Sequence, residues 1–447
     1  MVFTPMQNPV TIEDVLRSRR GAASSLALQR DLGVSQPTIS RLLKPLIMNG
    51  HVLRAGAGKN QLYLLPQRVS DLGLSVPINR VDEDGRAHRF ANIIALVSSR
   101  FCVEFTSGAP ILYDSLPWFL SDMKPQGFLG RTFAKSHPSL NLHDNPATWS
   151  DVDTLRAIAL VGDDLPGNLI VGSDAFARFQ GQPRPAITSK REDYPALASR
   201  ALDGDAPGSS AGGEQPKFCI RRADGTDLIV KFSPSGKSDV AQRWRDLLIC
   251  EHLALETLHR AGESAASSSL HISDRVYLEV ERFDRTPAGR IGMVSLAAFD
   301  DEHIGQRDRW DKTALRLRER ALMAPSCIER LLLLEAFGSL IANSDRHYGN
   351  ASLLRQVGAW TLAPAYDMLP MFYAPSSLGV PDRPFDLSSV NASAETLDVW
   401  DRASKLAVSF WQAARSDTRI STKFRKRLTA DSDKWLARFV EATAPAP

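Results

Sequence analysis

Apolar positions recur at helical spacing in some stretches of this chain and at strand spacing in others, with turn residues between them. In the first 65 residues, "TIEDVLRSRRG", "SSLALQRDLG" and "SQPTISRLLKPL" each predict a helix. Thr11 is placed to cap the first, with Asp14 at the third helical position. Gly33 ends the second. Ser35 caps the third, whose first turn tolerates Pro37; Pro45 is expected to kink or end it early. "HVLRAGAGKNQLYLL" then predicts two short strands around a glycine-rich tip. The stretch "RVSDLGLSVPINRVDEDGRAHR" is polar and turn-rich and reads as a linker. "FANIIALVSSRFCVEFTSGAPILYDSLPWFL" predicts short strands and turns.

The second half is patterned more strongly. "KFCIRR", a "DGT" turn and "DLIVKF" predict a hairpin, and "DVAQRWRDLLICEHLALETLHRAG" a long helix. "RVYLEVERFDR" is a strand that runs into a polar turn. "IERLLLLEAFGSLIAN" is an apolar helix interrupted by Glu335, and it is too short to span a bilayer. Two short strands, "SLL" and "WTL", follow, and from about Pro375 onward the pattern is largely helical. The fold class is therefore α+β, and 447 residues suggest two or three domains.

Composition changes this picture little; charge changes it more. Apolar residues make up 43% and charged residues 23%, which is ordinary for a globular protein. Cys102, Cys219, Cys250 and Cys327 are scattered, with no CxxC spacing, so neither a zinc site nor a disulfide framework is indicated and a reducing cytoplasmic setting is expected. "MVFTPMQNPV" has no signal-peptide pattern, and no membrane association is expected. Residues 1–66 hold eight Lys/Arg against three Asp/Glu, a net of +5, and the remainder of the chain is close to neutral. A basic end on a near-neutral body points to nucleic acid. The element order there resembles a winged helix-turn-helix. By that resemblance "SQPTISRLLKPL" is the recognition helix; Gln36, Thr38, Ser40, Arg41 and Lys44 face the major groove or phosphates, with Arg54 and Lys59 on the wing.

The candidate chemistry lies in "LIANSDRHYGNASLL", where Asp345 and Asn350 are five positions apart at a helix-to-strand junction. Phosphoryl transfer needs a carboxylate to orient a hydroxyl, and an amide oxygen with a second carboxylate to hold magnesium. Kinase catalytic loops have this Asp-to-Asn spacing, and Asp367 follows just beyond the next two strands, where a second ligand is needed. The upstream parts occur in kinase order. Gly208, Gly212 and Gly213 form a flexible loop suited to phosphates. Lys231 ends an apolar strand, and Asp246 or Glu251 on the long helix is its partner.

Together "GGEQPKF", "VERFDR", "NSDRHYGN" and "YDMLP" resemble the HipA family of bacterial serine/threonine kinases, toxins of type II toxin–antitoxin systems. "LPWFLSDMKPQGFLGR" and "GDDLPGNL" are similar to that family's N-terminal subdomain. Beside the winged helix-turn-helix expected over 1–68, the resemblance implies the HipA N-terminal subdomain over 90–180 and a bilobal kinase core with a helical C-lobe over 181–447. It implies ATP and Mg²⁺ as cofactors, Asp345 as the catalytic aspartate, and Asn350 and Asp367 as metal ligands. Lys231 and His347 would contact ATP, His347 alternatively only bracing the loop, and Glu281 and Phe283 would hold adenine. Ser209 or Ser210 would be autophosphorylated, expelling the loop by its new charge.

A fused DNA-binding module departs from the usual HipA toxin and is similar to the stand-alone YjjJ/HipH-like branch. It leaves the need for a separate antitoxin open and makes a homodimer a reasonable expectation. The partners expected are a protein substrate of unknown identity and DNA. Two alternatives share the sequence: a DNA-binding regulator with a non-catalytic kinase-like sensor, and a small-molecule kinase.

Overall fold

The computed structural model describes residues 10–181, 190–202, 215–356 and 358–443. They form two compact units, interleaved in sequence. The first takes the chain up to residue 124, then 137–165 and the stretch from 169; the second takes 125–136, 166–168 and the rest.

The first unit begins with helices Ile12–Ser18, Ser25–Leu32 and Gln36–Met48. Leu16, Leu28, Ile39, Leu43 and Val52 share one buried cluster, so a single apolar stripe per helix closes a small core. Thr11 and Asp14 make the expected capping box, and Gly33 ends the second helix at φ +66°. Two local expectations hold only in part. Ser35 stands at the cap position, but its hydroxyl bonds the Thr38 hydroxyl at 3.2 Å instead of a backbone amide. Pro45 does not end the third helix, which continues to Met48. Pro45 lies on the exposed side, so the carbonyl that loses its partner faces water. The two expected strands are joined by a third, Ala22–Ser24, in the order Ala22–Ser24, Leu62–Leu64, Leu53–Ala55.

The expected linker is also corrected. Val76–Val81 is a strand inside a five-stranded antiparallel sheet, in the order Ile111–Tyr113, Arg100–Phe105, Ala87–Leu96, Val76–Val81, Leu169–Val171. Val76 and Ile78 enter the main core of this unit, and Val81 packs on the opposite face with Ile170 and Ala175. Pro77, Asn79 and Arg80 hide this pattern, and pairing on both edges supplies the strand. The three-stranded sheet buries Ala22, Ala55 and Leu64 against Ile94, Leu96 and Cys102 of the larger one. Gly21 permits the approach: a Cβ there would stand 3.0 Å from that of Leu96, at φ +91°.

The second unit holds a four-stranded antiparallel sheet, in the order Ser268–Ile272, Val276–Glu281, Asp227–Phe232, Lys217–Arg221. Strand alternation sends Phe218, Ile220, Leu228, Val230 and Phe232 into one buried cluster with Phe128, Tyr194 and Leu197. Lys217 and Lys231, cross-strand partners, therefore share the other face. The helix Asp239–Arg260 starts at the Ser238 cap, with Leu247, Leu248, Leu255 and Leu258 buried. Beyond it lie the helices Trp310–Glu319, Pro325–Leu340, Leu397–Ser416 and Thr422–Thr443 and a sheet ordered Gly292–Ser295, Ser352–Gln356, Ala359–Leu362. Among the described residues, no helix is long and apolar enough to cross a membrane.

Candidate functional site

The site is built where the face bearing Lys231 meets the loop 343–350 and the turn at Asp367. Lys231 is nearly fully buried, and its ammonium donates to Glu251 Oε1 at 2.6 Å and to Asp367 Oδ1. Burial alone would depress the lysine, but the Asp367 and Glu251 carboxylates more than offset it and hold it charged. Burial likewise opposes ionisation of Asp367, yet Lys231, and after it Lys217, hold its carboxyl down to about 2. Glu251 is pushed up by burial, with Lys231 pulling back.

Of the two candidate partners for Lys231, the structure selects Glu251. Asp246 turns away: its carboxylate accepts the Ser421 backbone N–H at 2.8 Å and hydroxyl at 2.6 Å. The two acids are five positions apart on the helix, which is about 140° of rotation and so opposite aspects of the cylinder.

Asp345, His347 and Asn350 occupy one turn. The Asp345 side chain is 49% exposed, open to an incoming group. Partial burial raises its pKa, the His347 charge opposes this, and the nearby Asp367 carboxylate raises it further. The Asn350 amide donates to the Asp345 backbone carbonyl at 2.7 Å. His347 caps the short turn Tyr348–Asn350: its Nδ1 accepts the Gly349 N–H at 3.0 Å, and its Nε2 lies 4.0 Å from Asp345 Oδ1. In this geometry it braces the loop. Phe283 is half-buried, its ring 5.6 Å from that of Tyr366, while Glu281 is 44% exposed at the end of its strand. Gly208, Gly212, Gly213, Ser209 and Ser210 lie outside the described residues.

Several residues that sequence reasoning passed over complete the site. Asn343, 1% exposed, accepts the Asp345 N–H at 3.0 Å through Oδ1 and donates to the Asp367 carbonyl at 3.3 Å through Nδ2. One amide thus ties the two acidic segments together, next to Ala342 and Asp367 in left-handed backbone at φ +59° and +53°. Arg346 forms a forked pair with Glu335 at 3.1 and 3.3 Å and donates to the Asn343 carbonyl, so the acid that interrupted the apolar helix anchors the loop. Gly338 makes room: a Cβ there would meet Arg346 Cδ at 2.5 Å. Lys217 is a second cation on this face, its pKa lowered by burial and partly restored by Asp367. The signals were present, since Asn343 and Arg346 lie inside "NSDRHYGN" and Lys217 inside "GGEQPKF".

The donor set suits magnesium carried by a nucleotide. Asp367 and Asn350 offer hard oxygens, and magnesium takes one or two protein ligands with phosphates and waters completing its octahedron. Among the described residues, no group of three or more His, Cys, Asp or Glu forms a self-sufficient metal cage.

In the first unit, Gln36, Ser40, Arg41 and Lys44 are exposed on the outer side of the third helix, and Thr38 is half-buried. Arg54 and Lys59 are exposed on the second strand and at the tip that follows it. Among the described residues, Arg41, Lys44, Arg54 and Lys59 form no ion pair with a carboxylate.

Comparison with known proteins gives these features a family. Residues 72–180 match the family described as YjjJ-like toxin, middle domain, and residues 209–435 match the HipA-like C-terminal domain. Toxin YjjJ of Escherichia coli (strain K12) is 37% identical over 422 residues, which is 91% of this chain and 93% of that protein. Among solved structures, the toxin HipA of Shewanella oneidensis MR-1, solved with HipB and operator DNA, is 16% identical. The match covers 80% of this chain and 96% of that one at a TM-score of 0.51, a likeness of fold. On the sequence matches, the chain belongs to the HipA-like toxin family, with a YjjJ-like middle domain.

Proposed function

We propose that this chain is an ATP- and magnesium-dependent kinase that transfers the γ-phosphoryl group to a serine or threonine hydroxyl of a protein. The observation that carries this reading is the buried Lys231 held between Glu251 and Asp367, with Asp345 facing solvent beside them. Asp345 is the general base: its raised pKa strengthens it as a proton acceptor, and its exposure admits a hydroxyl. Lys231 and Lys217 neutralise the phosphates. Asn350 and Asp367 hold the magnesium, which supplies charge neutralisation at the β- and γ-phosphates. Glu281 and Phe283 border the adenine, His347 contacts ATP while bracing the loop, and Gly212 and Gly213 cover the phosphates. Ser209 or Ser210 is the autophosphorylated residue.

The division into 1–68, 90–180 and 181–447 assigns DNA contact to the first part as a winged helix-turn-helix. What supports it is the helix order, the small three-stranded sheet and four exposed cations that have no carboxylate partner among the described residues. The Shewanella HipA was solved with a separate HipB and operator DNA; here DNA contact resides in the toxin chain itself. The protein acts in the cytoplasm, and a homodimer would present two half-site readers.

The test is incubation of the purified chain with γ-labelled ATP and cell lysate, wild type against Asp345→Ala and Asp367→Ala. Label on a protein band, lost in both variants, is expected. Label on a small product alone would make it a small-molecule kinase. Absence of any label from the wild type would leave a DNA-binding regulator with a silent kinase fold.

A further inference from the structure

The helix that supplies Glu251 is held from behind by the C-terminal helix, and so is the segment that follows Asp367. On the Glu251 helix, Asp246 is 1% exposed and takes both the backbone N–H and the hydroxyl of Ser421, directly before Thr422–Thr443. Arg243, one turn earlier on the same helix, lies 4.1 Å over the Phe424 ring and donates to the Tyr373 carbonyl at 3.0 Å. Asp239, at the start of that helix, pairs with Lys423 at 3.0 Å. On the other side, Tyr373, six residues after Asp367, donates its hydroxyl to Asp431 at 2.8 Å and packs its ring 5.3 Å from Phe424. Asp431 also accepts the Phe385 N–H at 3.2 Å, and Arg427 pairs with Asp382.

Glu251 and Asp367 are the two carboxylates on Lys231; the Arg243 bond to the Tyr373 carbonyl joins their carriers directly, and the remaining bonds run through the C-terminal helix. A kinase site is competent only when the Lys–Glu pair and the metal-binding Asp are in place together. Here a third element grips the carriers of both. At Asp246, Arg243 and Asp431 the bonds are desolvated and charge-assisted, and these are costly to break because the groups left behind stay buried; the Asp239–Lys423 pair is exposed and adds little.

We infer that the C-terminal helix is the clamp that sets the Lys231–Glu251–Asp367 cluster, with Asp246 and Asp431 its attachment points as positioning residues. The inference deepens the kinase reading and rests on it for its consequence in ATP binding, though the clamp itself is a property of the nucleotide-free protein. It makes competence of the nucleotide site depend on residues after 420, and anything that draws this helix away disables the site without touching it.

The experiment uses the full chain with Asp246→Ala, Asp246→Asn and Asp431→Ala. Hydrogen exchange is measured without nucleotide over Asp239–Arg260, and affinity is measured for a fluorescent ATP analogue. Asp246→Ala and Asp431→Ala are expected to speed exchange in that helix and weaken the analogue about tenfold. Asp246→Asn keeps an acceptor for the Ser421 N–H and is expected to restore most of the loss. In a Glu251→Gln background, Asp246→Ala is expected to cost less than about twofold more, because its effect runs through Glu251. If Asp246→Ala is too unstable to purify, Ser421→Ala replaces it in both measurements; it deletes the hydroxyl bond to Asp246 and the 3.3 Å bond from the Phe424 N–H, and it keeps the Ser421 N–H on Asp246. Unchanged exchange, or a loss that adds fully to that of Glu251→Gln, would overturn the clamp. A wild-type chain that fails to bind the analogue would instead sink the kinase reading, and the exchange data would still decide the clamp.

Discussion

Lys231 and Lys44 carry the same charge in opposite settings. Lys231 is buried, and two carboxylates answer it at hydrogen-bond distance. Lys44 stands exposed on a helix with Arg41 one turn away, and among the described residues no carboxylate answers either. The difference teaches what each region is built to meet. A buried cation must be neutralised from within, or desolvation discharges it. An exposed cation left unpaired, among others of its sign, has no structural debt and is available to an external polyanion. The same arginines and lysines, counted by composition, would be indistinguishable.

Breaking the buried side should have the largest effect. Lys231→Met leaves two carboxylates without their cation and is expected to cost about 3 kcal/mol of stability. Chemical denaturation and phosphoryl transfer, which should be lost, measure it; wild-type stability would contradict the argument.

Next comes Glu279, whose buried carboxylate takes a forked pair from Arg191 at 2.8 and 2.9 Å and bonds from Tyr194 and Ser269. Burial would raise its pKa, but Arg191 and the two hydroxyls hold it down to about 2, against an ordinary 4.5. Its folded pKa lies below the unfolded one, so the stabilisation is fully present above pH 4.5 and fades as pH falls toward 2. Glu279→Gln should therefore destabilise by about 3 kcal/mol at neutral pH and converge on wild type at the acid end. A constant difference at all pH values would mean the cost is packing and not charge.

A smaller effect tests the loop. Gly338→Ala favours the helix by propensity but pushes a methyl into Arg346. Turnover is expected to fall about tenfold while the melting temperature holds. A drop in melting temperature with unchanged turnover would show that Arg346 moves aside without disturbing Asp345.

The smallest effect on stability belongs to the exposed side. Arg41→Ala, Lys44→Ala, Arg54→Ala and Lys59→Ala should each stay within about 0.5 kcal/mol of wild type. Each that touches a phosphate should lower the salt dependence of DNA binding by about one unit of slope, with kinase activity intact. If one of them unfolds the protein, the contrast between the two regions fails for that residue.

How much of this was legible in the sequence follows from the range of each interaction. The first three helices, the capping box at Thr11 and the Gly33 stop are set within a few residues, and they read correctly. Pro45 does not end its helix as one of its two expected effects would, because that penalty depends on which side of the helix faces water. Val76–Val81 read as a linker because its strand character comes from neighbours on both edges. At the candidate site, the order of Lys231, Asp345, Asn350 and Asp367 was visible as spacing. The choice between Asp246 and Glu251 was not, since both lie on one helix and only its orientation against the sheet separates them.

By itself, then, the sequence determined the local elements, the identities of the acidic, amide and basic groups and the family to which they belong. These rest on spacing and propensity, which act over a turn or a hairpin. Tertiary structure alone decided which acid meets Lys231, that Asn343 joins the Asp345 and Asp367 segments, and that Glu335 answers Arg346. Those pairings join residues brought together by packing, and desolvation, which no single segment can report, sets their strength.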